Sequence, residues 1–165
     1  MLDLNLAQLF ITFLVLLFSL TVHEAAHGWA ADRCGDGTAK AMGRVTLNPL
    51  AHIDLMGTVV FPLMALVAHV PVIGWAKPVP VNVRLLRHPR RDWTMVAAAG
   101  PASNLVLAVM AAIVIRMIPS GALAAAGPAV AAPLVDLLGK MLQINVLLAI
   151  FNMLPIPPLD GAGVL

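Results

Sequence analysis

Long apolar runs alternate with short polar breaks along the chain. Residues 4–31 are apolar except near each end, and this run exceeds the about 20 residues that a membrane-spanning helix needs. A second run, 93–117, is rich in alanine, and a third, 134–151, follows a Gly/Ala/Pro connection at 119–133. The pattern therefore predicts three spanning helices.

Two other segments lack this simple form. Residues 55–76 are apolar but are interrupted by two prolines and a glycine, which predicts a re-entrant or kinked hairpin shielded by other helices. Residues 38–49 alternate loosely and predict a short exposed strand or loop. The expected fold class is an all-α membrane protein: a bundle of about three spanning helices plus the hairpin, with a short cytoplasmic-side strand, in a single domain, 1–165.

Composition supports an integral membrane protein. Hydrophobic residues make up 61% of the chain and charged residues 11%, and the mean hydropathy is +0.94. A soluble domain of this length could not bury that much apolar surface. The basic residues are few and clustered, which predicts contact with a lipid bilayer and not with nucleic acid. Cys34 is the single cysteine, which excludes an internal disulfide and any cysteine-based metal motif.

Two basic clusters predict the orientation. One, at 33–44, follows the first apolar run, and the other, at 77–91, precedes the second. The positive-inside rule places both clusters on the cytoplasmic side, so that 55–76 must return to the side that it left. Asp160, which follows the third run, then lies at the same depth as the inner end of the first.

The sequence His23-Glu24-Ala-Ala-His27 lies at that inner end. In a helix the two histidines lie one turn apart on the same face and can hold one zinc ion, and Glu24 can activate a water beside it. Glu24 is the only glutamate in the chain. The competing interpretation is a polar cluster that caps a membrane helix near the interface.

A hydrolytic zinc site typically takes three protein ligands, and Asp160 is the best third candidate by depth. It could instead cap a helix after a proline break, but an unpaired carboxylate at membrane depth costs about 3 kcal/mol, which a cation would offset. The rival carboxylate, Asp136, begins an apolar run, where the helix dipole explains it. His52, His69 and His88 are interpreted as loop or interface residues.

Prolines between Pro155 and Pro158 are expected to unwind the end of the third helix and to leave backbone groups without helical partners. Asn152 lies beside this break and could clamp a substrate backbone. Asn104, close to Gly100 in the second run, is interpreted as an interhelical hydrogen-bonding residue.

Three motifs in this order resemble those of the site-2 proteases, the intramembrane zinc metalloproteases: His23–His27, Gly100-Pro-Ala-Ser-Asn104, and Asn152–Gly161 with its Leu-Asp-Gly end. Asn48-Pro49 and Gly74–Asn82 are similar to the compact prokaryotic branch. The resemblance implies zinc on His23, His27 and Asp160, with Glu24 as the catalytic base and acid. It also implies that Asn152 and Pro155 lie near the substrate, and that a strand of Arg44, Val45, Thr46 and Leu47 pairs with unwound substrate.

The same resemblance implies a multi-pass protein of the prokaryotic inner membrane, with its active site towards the cytoplasm. Family members usually continue past this motif with a second glycine and further helices, whereas here Ala162 takes that place and the sequence stops at Leu165. A core domain truncated at its C-terminus is therefore expected.

The leading functional hypothesis is a zinc-dependent intramembrane endopeptidase whose partners are membrane proteins with transmembrane-helix substrates. The alternative is a non-catalytic metal-binding membrane transporter or scaffold, since intramembrane His and Asp residues also mark ion pathways. Glu24 discriminates between the two, because a transport site needs no general base between two metal ligands.

Overall fold

The computed structural model describes residues 6–61, 64–65 and 75–164. Three long helices dominate it: Leu6–Cys34, Pro89–Met117 and Pro128–Asn152, called here the first, second and third long helices. Each is long and apolar enough to cross a membrane. At 1.5 Å per residue, the shortest, with 25 residues, spans about 37 Å, which exceeds the about 30 Å of a hydrocarbon core. The three predicted spans are confirmed.

The second long helix lies at the centre of the bundle and packs against both of the others. Four of its nine buried residues are glycine or alanine, namely Ala97, Gly100, Ala108 and Ala111. Small residues let helix backbones approach closely, which is how helices associate in lipid. Large apolar side chains such as Val109 and Ile113 of this helix are instead exposed on the outside of the bundle.

Two helix boundaries differ from the sequence prediction. The second long helix begins at Pro89, four residues before Trp93, because Asp92 accepts a hydrogen bond from the His88 N–H and closes the first turn. The third begins at Pro128, since proline at the first turn of a helix has no N–H to lose. The predicted connection at 119–133 is itself partly helical, over Ser120–Ala126, and Gly127 with φ of 73° separates the two helices.

The predicted strand at 44–47 is not formed, and the part of the chain that the structure describes contains no strand. A short helix, Thr38–Ala41, is followed by bends. The buried Arg44 guanidinium donates to the Ala51 carbonyl, and His52 Nε2 donates to the Thr46 carbonyl at 3.0 Å. A side chain thus binds the Thr46 carbonyl, which a neighbouring strand could have bound, and the loop folds onto itself.

The two ends of the predicted hairpin 55–76 lie together. A one-turn π-helix, Leu55–Val60, is capped by Asp54, whose side chain accepts from the Gly57 N–H. The Trp75 N–H donates to the Gly57 carbonyl at 3.2 Å, and the Thr58 hydroxyl donates to the Trp75 carbonyl at 2.9 Å. Residues 62–63 and 66–74, which include His69, lie outside the described residues. The hydrogen bonds from Trp75 to Gly57 and from Thr58 to Trp75 thus join the two described ends of this segment.

Candidate metal centre

Two histidines of the first long helix form one side of the site. His23 and His27 are buried, with 4% and 8% of their surface exposed, and their Nε2 atoms are 3.1 Å apart. The rings meet edge to face, with centroids 4.7 Å apart. The four-residue spacing in a helix places both rings on the face that packs against the second long helix.

Asp160 reaches the same point from the other end of the chain. It lies after the third long helix, and its Oδ2 is 3.1 Å from His23 Nε2 while its Oδ1 is 3.2 Å from His27 Nε2. Gly161 makes the approach possible, because a Cβ on it would lie 2.3 Å from the Met153 carbonyl oxygen. The helix ends at Asn152, and the proline-containing loop after it folds back against itself at this glycine.

Each histidine ring makes a hydrogen bond through Nδ1, on the side away from Asp160, and this bond determines which ring nitrogen carries the proton. His27 Nδ1 lies 2.7 Å from the Val96 carbonyl oxygen. A carbonyl only accepts, so Nδ1 carries the proton and the neutral ring keeps a lone pair on Nε2. The backbone of the second long helix thereby sets the tautomer of His27.

A chain of buried amides sets the tautomer of His23. The Asn145 Nδ2 donates to the Met141 carbonyl at 2.8 Å and to the Ser19 hydroxyl, which leaves its Oδ1 to accept from Asn104 Nδ2 at 2.8 Å. The Oδ1 of Asn104 then faces His23 Nδ1 at 2.6 Å and accepts its proton. Because a backbone carbonyl anchors this chain, its direction is fixed, and His23 also presents a lone pair on Nε2.

The donor set fits a divalent metal ion. Two imidazole nitrogens and two carboxylate oxygens, all bearing lone pairs, face one another, and Asp160 Oδ2 is buried without a hydrogen-bond partner among the described residues. Ligand atoms about 2.1 Å from a tetrahedral zinc ion lie about 3.4 Å apart, close to the separations of 3.1–3.2 Å here. A cation held between His23, His27 and Asp160 would satisfy the two nitrogens and the carboxylate together.

Glu24 follows His23 on the first long helix but does not belong to this cluster. Its Oε2 accepts a hydrogen bond of 2.8 Å from the Val79 backbone N–H. The carboxylate is therefore held by a different part of the chain from the part that supplies Asp160.

Gly100 of the second long helix closes the site on the side facing the histidines. A Cβ on Gly100 would lie 2.4 Å from His27 Nε2 and 2.6 Å from His23 Nε2, where ordinary contacts begin at 3.4 Å. The sequence indicated a close-packing glycine at this place. The structure shows that what it packs against is the pair of donor nitrogens.

The other candidate residues make contacts outside this cluster. Asp136 forms an ion pair of 3.7 Å with Lys140 on its own helix. The Asn152 amide donates to the Leu148 carbonyl one turn back, and Pro155 is exposed in the following loop. Arg44, Val45, Thr46 and Leu47 form the loop described above, with the Arg44 side chain buried and Leu47 exposed. His52 is buried in that loop, and the His88 N–H bonds to Asp92.

Sequence reasoning missed three contributors: Asn145, the Val96 carbonyl and the Val79 N–H. Asn145 carried a usable signal, because a lone amide within an apolar helix needs a partner. The two backbone groups carried none, since every residue has a carbonyl and every residue except proline has an N–H.

The fold and the site together define a helical membrane protein with a buried centre of two histidines and one aspartate. Comparison with known proteins agrees: residues 11–124 match the family described as peptidase family M50, and the chain belongs to this family, that of the site-2 proteases.

Curated relatives point the same way. "Putative zinc metalloprotease YwhC" of Bacillus subtilis (strain 168) is 40% identical over 148 residues, which cover 90% of this chain and 64% of the relative. Rip2 of Mycolicibacterium smegmatis, named in the same terms, is 36% identical over 153 residues, covering 90% of this chain and 53% of the relative. The chain thus spans between half and two thirds of the length of these relatives. No solved structure matches it.

Proposed function

We propose that this chain is the core of a zinc-dependent endopeptidase that hydrolyses peptide bonds in or near transmembrane helices of membrane-protein substrates. The observation that carries the proposal is the convergence of His23, His27 and Asp160, with Glu24 on the same helical turn as His23. Membership of peptidase family M50 and the names of the relatives support zinc as the metal.

Three side chains are assigned to the zinc: His23 and His27 through Nε2, and Asp160 through its carboxylate. Zinc bound there would polarise the carbonyl of the scissile peptide and make a coordinated water more acidic. Nδ1 of His23 donates a hydrogen bond to Asn104, and Nδ1 of His27 donates one to the Val96 carbonyl. These bonds keep the proton on Nδ1 and leave a lone pair on Nε2 of each ring for the metal.

The proton-transfer steps of the hydrolysis are assigned to Glu24. Its carboxylate takes a proton from the attacking water and later delivers it to the leaving amine, which is general base and then general acid catalysis. The Val79 N–H occupies one oxygen of the carboxylate and leaves the other for these transfers. Burial of the neighbouring histidines limits bulk water at this point.

The substrate has to be extended near the scissile bond, because the carbonyls of an intact helix are engaged in its own hydrogen bonds. Asn152 and the exposed Pro155 are proposed to contact this extended segment beside Asp160, and the backbone of Val45, Thr46 and Leu47 is proposed to contact it from the loop. The Arg44 side chain has a structural part in the same proposal, since it is already bound to Ala51.

The proposed setting is a multi-pass protein of the prokaryotic inner membrane, with the metal centre towards the cytoplasmic side. The arginines of the 77–91 cluster, at Arg84, Arg87, Arg90 and Arg91, are all exposed at the start of the second long helix. Exposed basic residues next to a span favour the cytoplasmic side, and the hairpin ends that meet at Gly57 and Trp75 are consistent with both clusters lying there.

The test separates metal binding from chemistry in the purified chain, with a transmembrane peptide containing Gly or Pro near its centre as substrate. Asp160→Asn should lose zinc, whereas the matched change Asp136→Asn should keep it. Glu24→Gln should keep zinc and fold but lose cleavage by about 10²–10⁴-fold, the usual contribution of a general base. Zinc bound equally by both aspartate variants, or cleavage by Glu24→Gln at the parent rate, would contradict the proposal.

A further inference from the structure

Trp75–Asn82, called here the proline segment, is an extended stretch without helix or strand. Four backbone N–H groups of the segment donate hydrogen bonds to other parts of the fold. The acceptors are the carbonyls of Gly57 and His52 and the carboxylates of Glu24 and Asp36, reached from Trp75, Lys77, Val79 and Asn82 respectively. Each donor acts on a different part of the fold, so the segment is held in place at four points along its length.

Val79 is the point at which this segment meets Glu24. It stands between Pro78 and Pro80, neither of which has an N–H. A residue that precedes proline is restricted to extended conformations, so Lys77 and Val79 are stiffened as well. The stretch 78–80 therefore presents a single backbone donor, the Val79 N–H, and that donor lies 2.8 Å from Glu24 Oε2.

The side chain of Val79 lies against the first long helix at Gly28. A Cβ on Gly28, one turn after Glu24, would lie 3.3 Å from Val79 Cγ1 and 3.1 Å from Val45 Cγ2. The proline segment thus rests directly on the helix surface at Gly28.

A glutamate side chain is otherwise difficult to hold. It has several rotatable bonds, and fixing them costs up to about 2 kcal/mol of rotamer entropy. Hydrogen bonding of Oε2 orients the carboxylate group while Oε1 has no hydrogen-bond partner among the described residues. One oxygen is thus anchored and the other is available.

We infer that the proline segment is a positioning element for Glu24, acting through the Val79 backbone N–H. This inference rests on the proposed role of Glu24 as general base. The ordered carboxylate is what the segment provides, and no side chain of the segment takes part in the reaction. Because the donor is a backbone group, only the introduction of another proline at position 79 deletes it.

The first experiment reads the contact without any catalysis. Glu24 is the only glutamate, so cell-free synthesis with glutamate carrying carbon-13 at its side-chain carboxyl gives protein with one labelled carboxyl resonance. Val79→Pro, which extends the proline run, should move or broaden this resonance at constant pH. Val79→Ala, which removes the same side chain but keeps the N–H, should leave it at the parent position. An identical resonance in both variants overturns the inference.

A second measurement does not depend on folding of the proline variant. The Val79 amide is the only one between residues 78 and 80, so hydrogen exchange at this position reports a single hydrogen bond. Exchange should be slow in the parent and in Glu24→Gln, whose amide oxygen still accepts, and fast in Glu24→Ala. The Lys77 amide, bonded to the His52 carbonyl, is the internal control and should remain protected throughout. Protection of Val79 in Glu24→Ala overturns the inference.

Cleavage then connects the contact to the reaction. With zinc content equal, kcat of Val79→Pro should be about tenfold or more below that of Val79→Ala, with KM similar, because small misplacement of a catalytic group lowers turnover steeply. A higher kcat in Val79→Pro would show that the segment restrains Glu24 and would overturn the inference. Absence of cleavage by the parent protein contradicts the proposed function alone, since the resonance and the exchange still test the contact.

Discussion

Replacement of Gly100 by alanine tests the metal centre most directly, because it changes neither a ligand nor a charge. The added Cβ would lie 2.4 Å from His27 Nε2, and ordinary van der Waals contact begins at 3.4 Å. The nitrogen must therefore retreat by about 1.0 Å, the difference between these distances, whereas metal–ligand distances tolerate about 0.2 Å. The retreat is opposed by the bond from His27 Nδ1 to the Val96 carbonyl.

The expected magnitude follows from this displacement. Changes in groups that only orient a ligand cost about 10–100-fold in metal affinity, so displacing the ligand atom itself should cost at least about 100-fold. The overpacking should also lower the free energy of unfolding by about 1–3 kcal/mol. Zinc affinity is measured by competition with a chromophoric chelator in detergent, and helicity by circular dichroism.

Gly139→Ala is the matched control. Gly139 lies within the third long helix, and a Cβ there meets nothing within 4 Å. This variant should bind zinc as the parent does and gain up to about 1 kcal/mol of stability from helix propensity. If folded Gly100→Ala binds zinc as tightly as Gly139→Ala, the two imidazoles do not meet the metal where the structure places them.

Two further predictions concern the supports of the fold and the site. Asn104→Leu removes the acceptor for His23 Nδ1 and should weaken zinc binding by about 10–100-fold in the chelator assay. Asn104→Asp keeps an acceptor and should bind zinc more tightly than Asn104→Leu. Equal zinc affinities of the two variants would contradict the assignment of the His23 tautomer. Burial of Asp36 opposes its ionisation, but hydrogen bonds from Thr38 and from the Asn82 N–H outweigh it and lower the pKa of Asp36. Because the pKa is lower in the folded state, ionised Asp36 stabilises the folded protein at pH values above its unfolded-state pKa of about 3.9. This stabilisation is lost as the pH falls through the folded-state pKa. Asp36→Asn should therefore lower the melting temperature at neutral pH and reduce its fall towards low pH, and an unchanged pH profile of melting would refute this.

Much of the fold was predictable because apolar runs of spanning length have few alternatives in lipid. The three long helices followed from the length of the apolar runs. The prediction of a strand at 44–47 was wrong because of hydrogen bonds within the loop. A weak alternation of polar and apolar residues does not reveal that Arg44 and His52 will bind the loop's own carbonyls.

The proximity of the three candidate ligands was also predictable, since the histidine spacing and the depth of Asp160 constrain each other. The hydrogen bonds that hold these three side chains in place were harder to predict from the sequence. Asn104 was predicted to bond between helices, and it does so with Asn145 and Ser19, but its bond to His23 depends on the rotation of two helices about their axes. Such rotations are set by the packing of small residues such as Gly100, which periodicity alone does not determine.

The metal centre is thus supported from the backbones of several elements. The Val96 carbonyl of the second long helix fixes His27, the Met141 carbonyl of the third fixes His23 through two amides, and the Val79 N–H of the proline segment holds Glu24. Backbone groups move only when their helices or segments move, so the donor nitrogens share the rigidity of the bundle. Conversely, a small shift of the third long helix would change the hydrogen bonding of His23 and the position of Asp160 together, because both depend on that helix. Zinc affinity should for this reason respond to helix packing before the helices themselves unfold.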